Sequence, residues 1–177
     1  MKFLDYSNPD TEKLFLQAYD KYADAIFRFC YLRTLNRQLA EDITQETFIK
    51  TWSYLVSGKS IENIRAFLYK VAVNKIIDEK RKKTPVSVDE ESISWRVDKT
   101  SESENIINKT ETNLVLEKIN LLEKKYRDLI ILRYVDDFSP IEIAEIMDIS
   151  SNSVSVRLNY AVKKFRELFS GYKKDKK

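Results

Sequence analysis

The 177 residues contain no histidine and one cysteine, Cys30. Imidazole acid–base catalysis and a histidine or cysteine metal set are therefore outside what this sequence can build. Cys30, flanked by Phe29 and Tyr31, reads as a small core residue rather than a reactive thiol. The side chains left for chemistry are cations, amides, carboxylates and aromatic rings, and their distribution is uneven. Asn63–Lys83, NIRAFLYKVAVNKIIDEKRKK, sets seven cations against two acids, Asp78 and Glu79, and adds Phe67, Tyr69 and Asn74. Cations at this density release counterions from phosphates, so the stretch suits nucleic acid. The same run also suits the solvated basic end of an amphipathic helix. Asp42, Gln45 and Glu46 stand at i, i+3 and i+4, beside Thr44, Ile49 and Lys50, and share one helical face. That face fits either ordinary solubility or a docking surface for a basic partner.

Positioning these groups requires helices. Two glycines, three prolines and abundant Leu, Ile, Lys, Glu, Asp and Arg predict an all-α chain, and a hydrophobic content of 43% suffices for globular cores. Pro9 precedes a helix from about Asp10 to Thr34, where Leu14, Phe15, Ala18, Tyr22, Ala25, Ile26 and Phe29 recur every three or four residues. A second helix, from about Gln38 to Val56, buries Leu39, Ile43, Phe48, Trp52 and Leu55, and Gly58 offers the left-handed stop. The loop Ser57–Glu62 leads into the basic helix, whose apolar stripe is Ile64, Phe67, Leu68 and Val71 and which ends before Pro85. These three helices make a first small domain, residues 1–83.

Residues 84–110 lack periodicity and are rich in Ser, Asp and Glu, as expected of a flexible acidic linker. From Glu111 helical spacing returns through Leu114, Leu116, Ile119, Leu122, Tyr126, Leu129, Ile130, Leu132 and Tyr134, opening a second domain, residues 111–177. Ser139, Pro140 and Glu142 then supply an N-cap, a first-turn proline and a capping glutamate for a short helix, Pro140 to Met147. After a tight turn, a helix from about Asn152 to Phe169 places Val154, Leu158, Ala161, Phe165 and Leu168 inside. Two helices joined in this way, the second ending in cations, fit a DNA-binding helix-turn-helix or a plain helical hairpin. In the first case Asn152, Ser153, Ser155, Val156, Asn159 and Tyr160 reach base edges, while Lys163 and Lys164 lie closer to the phosphates. No apolar run is long enough to span a membrane and MKFLDYSNPD lacks a signal-peptide core, so a cytoplasmic protein is expected.

Taken in order, AEDITQETFIKTW, NIRAFLYKVAVNKIIDEKRKK, the acidic linker and SPIEIAEIMDISSNSVSVRLNYAVKKF resemble a bacterial RNA polymerase sigma factor of the sigma-70 family, extracytoplasmic-function type. The resemblance runs from about Leu14 to Phe169. It implies a non-enzymatic transcription initiation factor, with region 2 in the first domain and region 4 in the second. It implies that Asp42, Gln45 and Glu46 dock on the clamp helices of the largest polymerase subunit. Phe67, Tyr69, Lys70, Asn74 and Lys75, with Arg81 in the basic end, would contact the minus-ten promoter element, and the loop from Ser57 to Asn63 would capture a flipped base. The linker would thread the polymerase's basic channel. The last long helix would read the minus-thirty-five element, and there Arg157 keeps its family match. Ser155 and Tyr160 are uncharged where the family commonly uses cations to grip DNA. The partners implied are core RNA polymerase and promoter DNA, with an anti-sigma factor as a further candidate, no membrane and a monomer when free; no cofactor or metal is implied. Two other readings stay open on the residues alone. A helix-turn-helix regulator acting without polymerase would leave the first 83 residues unused, and a polymerase-binding adaptor would leave the cations of Asn63–Lys83 unexplained.

Overall fold

A computed structural model describes residues 9–83, 115 and 118–174. The expected linker lies outside them. Among the described residues every regular element is a helix. Contacts divide the chain into two compact units, Met1–Thr84 with Ile141–Ile149 and Pro85–Pro140 with Ser150–Lys177.

In the first unit α1 (Pro9–Thr34), α2 (Arg37–Val56) and α3 (Ile64–Lys83) each pack against the other two. The breaks between them are set by short-range chemistry. Leu35 takes a left-handed conformation (φ 53°), and its amide donates to the Tyr31 carbonyl, closing α1. Asn36 Oδ1 then accepts from the Leu39 amide at 2.9 Å and opens α2. At the far end Gly58 is left-handed (φ 77°), as expected from its type, and Asn63 Oδ1 accepts from the Ala66 amide at 3.0 Å to cap α3.

The core joins Ala18, Ile26 and Phe29 of α1 to Ala40, Ile43, Phe48 and Leu55 of α2 and to a broad arc of α3. Aromatic contacts tie the helices together: Phe15 meets Phe48 and Trp52, Tyr19 meets Phe48, and Phe29 meets Tyr69. Thr47 and Thr51 are also buried, although their type suggests surface; their hydroxyls donate to the carbonyls of Ile43 and Thr47 four residues back. Leu14, expected inside, is exposed.

In the second unit the helical period expected to run through to Tyr134 is interrupted at Leu121–Glu123. The guanidinium of Arg127 bridges that break, donating to the Asn120 carbonyl at 2.6 Å and the Leu122 carbonyl at 3.3 Å. Beyond it run α4 (Lys124–Ile130) and a π-helical turn, Ile131–Val135, in which Asp136 N donates to Ile131 O. Next in the chain, a short α5 (Pro140–Met147), all but its first residue grouped by contacts with the first unit, begins at the expected proline. The turn after it passes through left-handed Asp148, and Ser150 Oγ accepts from the Ser153 amide to cap the long α6 (Ser151–Lys174), which packs against α4.

Replacing Asn36 by Ala leaves the Leu39 amide without its cap. Urea denaturation of the variant should show a loss of about 1 kcal/mol, within the usual range for such caps, and an unchanged midpoint would assign the α1–α2 junction to packing alone.

Candidate nucleic-acid and partner surfaces

Successive residues on an α-helix are turned by about 100°. Phe67, Lys70, Asn74 and Arg81 therefore fall within about 60° of one another on α3. Asn74 and Arg81 are exposed, and Phe67 and Lys70 half-buried. Lys75 lies one step round the helix from them. The stripe thus offers an aromatic ring, an amide and cations along one line. Tyr69 is turned by about 160° from Phe67 and about 100° from Lys70; it is 1% exposed and its ring centroid lies 5.0 Å from that of Phe29. The expectation that Tyr69 meets DNA is corrected: a ring enclosed by the core has no surface to offer, and the helical period already places it about 100° or more from every residue of the stripe.

At the head of the stripe Phe67 packs against Tyr54 (4.8 Å between centroids), and Lys59 Nζ sits 5.0 Å from the Tyr54 ring. Ser57 Oγ donates to the Tyr54 carbonyl. The Ser57–Asn63 loop is therefore anchored at both ends, by Tyr54 and by the Asn63 cap, with Ser57, Gly58, Lys59 and Ser60 exposed between them.

Asp42, Gln45 and Glu46 are all exposed on α2 and share one face. Ile49 continues that face one turn on and is 64% exposed, giving an acidic and amide surface an apolar end. Glu46 also forms an ion pair with Lys75 of α3 at 2.5 Å. Two groups expected at different interfaces thus meet directly.

On α6 the buried side is Val154, Leu158 and Ala161. Asn152, Ser155, Val156, Asn159, Tyr160 and Lys163 occupy the opposite arc and are exposed. Ser153 and Arg157 lie off that arc. Ser153 is held in the cap, its hydroxyl 2.8 Å from Ser150 Oγ, and Arg157 is exposed on the flank. Ser155 Oγ donates to the Ser151 carbonyl. Tyr160 is 43% exposed, with its ring against Tyr126 of α4. Asn159 and Lys163 line an open groove with Tyr134, Val162 and Arg166. The sequence places Tyr126 and Tyr134 only in the apolar period and does not single out Arg166. Arg166 continues the period of Asn152, Asn159 and Lys163 and was open to detection; the two tyrosines reach α6 only through tertiary packing.

Among the described residues no three His, Cys, Asp or Glu side chains gather where they could hold a metal ion, and no helix is long and apolar enough to cross a membrane. Burial pushes the Cys30 thiol up to about 12, against smaller lowering effects from a hydrogen bond with Thr44 and the charge of Arg33. Cys30 is therefore a protonated core group at neutral pH.

Sigma-70 region 2 matches residues 18–85, and Sigma-70, region 4 matches residues 112–165. The chain is 32% identical over 155 residues to the ECF RNA polymerase sigma factor SigW of Bacillus subtilis, covering 82% of this chain and 83% of that protein. It is 29% identical over 149 residues to the ECF RNA polymerase sigma factor SigL of Mycobacterium tuberculosis, covering 84% of each. Among solved structures, the sigma factor RpoE in complex with the anti-sigma factor NepR from Bartonella quintana is similar in fold, with a TM-score of 0.69, 21% identity, and coverage of 89% of this chain and 98% of that one.

The core position of Tyr69 has a measurable consequence. Tyr69→Ala should cost about 3 to 5 kcal/mol of stability, the range for a buried aromatic truncated to alanine, whereas Asn74→Ala on the exposed stripe should cost less than about 1. Chemical denaturation of the two variants checks this, and equal costs would contradict the division between core and stripe.

Proposed function

This chain belongs to the ECF RNA polymerase sigma factors, and from that membership we infer how its surfaces divide the work of transcription initiation. It is a transcription initiation factor that binds core RNA polymerase and directs it to promoter DNA. The assignment of individual residues is our proposal.

The α2 face of Asp42, Gln45 and Glu46 docks on the clamp helices of the largest polymerase subunit, carboxylates meeting a basic partner and Ile49 adding apolar area. The α3 stripe of Phe67, Lys70, Asn74 and Arg81, flanked by Lys75, holds the minus-ten element. The observation that carries this reading is the alignment of ring, amide and cations on one helical line. An opened strand is held by just such stacking, hydrogen-bonding and phosphate contacts. The anchored Ser57–Asn63 loop receives an extruded base. The outward arc of α6, Asn152, Ser155, Val156, Asn159, Tyr160 and Lys163, faces the minus-thirty-five element, with Ser153 and Arg157 at its margin. None of these tasks needs a catalytic group, and we propose no enzymatic activity. We place the protein in the cytoplasm with its polymerase. An anti-sigma factor is a further proposed partner; RpoE from Bartonella quintana was crystallised with one.

Runoff transcription from a promoter library, with and without core polymerase, tests the whole reading. Specific transcripts are expected only when both proteins are present, and sequence-specific duplex binding with no gain in transcription would overturn it. Reversing charge at Asp42 and Glu46 should abolish binding to core polymerase while the far-UV circular dichroism is retained; unchanged affinity would remove the docking assignment. Asn159→Ala should relax preference for the upstream element by about 1 to 3 kcal/mol if its amide contacts a base, as read from competition between promoter variants. No shift in that ranking would move the readout to other residues.

A further inference from the structure

Tyr160 stands in the outward arc of α6, yet its ring is already committed. It packs against Tyr126 of α4 with 4.8 Å between centroids and 37° between the ring planes. Each tyrosine carries a cation: Lys125 Nζ lies 5.2 Å from the Tyr126 centroid and Lys164 Nζ 5.7 Å from that of Tyr160. Both lysines are about half-exposed. The result is a continuous ridge, lysine, tyrosine, tyrosine, lysine, built from two helices of one unit and bordering the line Val156–Tyr160–Lys164.

A helix entering the major groove reads base edges along its centre, and the groove, about 12 Å wide, is walled by phosphates. Side chains bordering the readout arc, especially those donated by a second helix, meet a wall rather than the floor. A tyrosine whose ring packs tilted against a neighbour offers its rim and hydroxyl instead of a free ring, and a lysine held over that ring is placed for phosphate before DNA arrives.

We propose that Lys125, Tyr126, Tyr160 and Lys164 form a phosphate-gripping ridge that positions α6 on duplex DNA without reading its sequence. The proposal rests on the reading of α6 as the upstream promoter-binding helix. It gives Tyr160 a backbone task in place of a base contact, and it brings α4 into the DNA interface. Two carboxylates restrain the ridge: Glu123 lies 3.2 Å from Lys125, and Glu167 lies 3.2 Å from Lys164. Phosphate competes with them for the same ammonium groups.

The test uses holoenzyme assembled from the full chain and core polymerase, with promoter duplex affinity measured across a salt series. Lys125→Met with Lys164→Met should weaken binding roughly tenfold and flatten the plot of log affinity against log salt by about 2. The ranking of upstream sequences should be unchanged. Glu123→Gln with Glu167→Gln should strengthen binding and steepen the slope, an outcome that a merely structural pair of lysines would not give. The proposal is overturned by an unchanged slope in both double variants, by a changed sequence ranking, or by loss of affinity for core polymerase in the absence of DNA, which would make the ridge a protein-docking surface. Wild-type holoenzyme that initiates specifically, with both double variants keeping the wild-type slope, removes the ridge alone. Wild-type protein that fails to direct core polymerase removes both the ridge and the reading beneath it.

Discussion

Most of the circumference of α3 is committed to the core, and this limits what the rest of the first unit can do. Ala66, Leu68, Tyr69, Val71, Ala72, Val73 and Ile76 are all buried, leaving one strip of the helix for Phe67, Lys70, Asn74, Lys75 and Arg81. Small residues at Ala66 and Ala72 let neighbouring helices approach closely, and Phe29 against Tyr69 fixes the rotation of α3 about its own axis. A strip of functional side chains held in this way cannot turn independently of the core. Loop-mounted groups would have to be ordered at the moment of binding, whereas these are ordered by folding itself.

The same geometry brings the α2 face to the edge of that strip. Glu46 and Lys75 are partly exposed, so their ion pair contributes at most about 1 kcal/mol and does not hold the unit together. Its significance is spatial. The proposed polymerase-docking face and the proposed promoter-opening strip lie within one side chain's reach, on helices that share a core. A partner bound to one surface therefore fixes the other in position, with no conformational relay between them.

Much of this was legible in the sequence because local chemistry set it. Gly58 and Pro140 mark helix boundaries that follow from backbone preference alone, and the apolar period of α1, α2 and α6 identified most of the buried residues. Even the correction at Tyr69 was available, since two residues from Phe67 is nearly the far side of a helix. Thr47 and Thr51 were hidden by their type: a threonine that returns its hydroxyl to its own helix behaves as a core residue. The break at Leu121–Glu123 left no mark either, because it is stabilised by the Arg127 side chain, which the apolar period does not register. Tyr126 and Tyr160 stand 34 residues apart in sequence, and only the packing of α4 on α6 makes them neighbours.

On the proposed reading of α6 as a DNA-binding helix, that last contact bears on how the second unit would separate affinity from specificity. The arc of α6 carries short polar and apolar side chains at Asn152, Ser155, Val156 and Asn159, and the Ser155 hydroxyl is turned back onto its own helix. Side chains of this kind discriminate between bases but supply little of the electrostatic attraction that dominates binding to a polyanion. Lys163 and Arg166 continue the arc further along α6, and the flanking cations are Lys125 and Lys164, over the paired tyrosines. Marginal cations meet phosphates, which are the same at every sequence. On the proposed reading of α6, Ser155 and Tyr160 leave the arc uncharged at two positions, so the flanking Lys125 and Lys164 would carry a larger share of the grip.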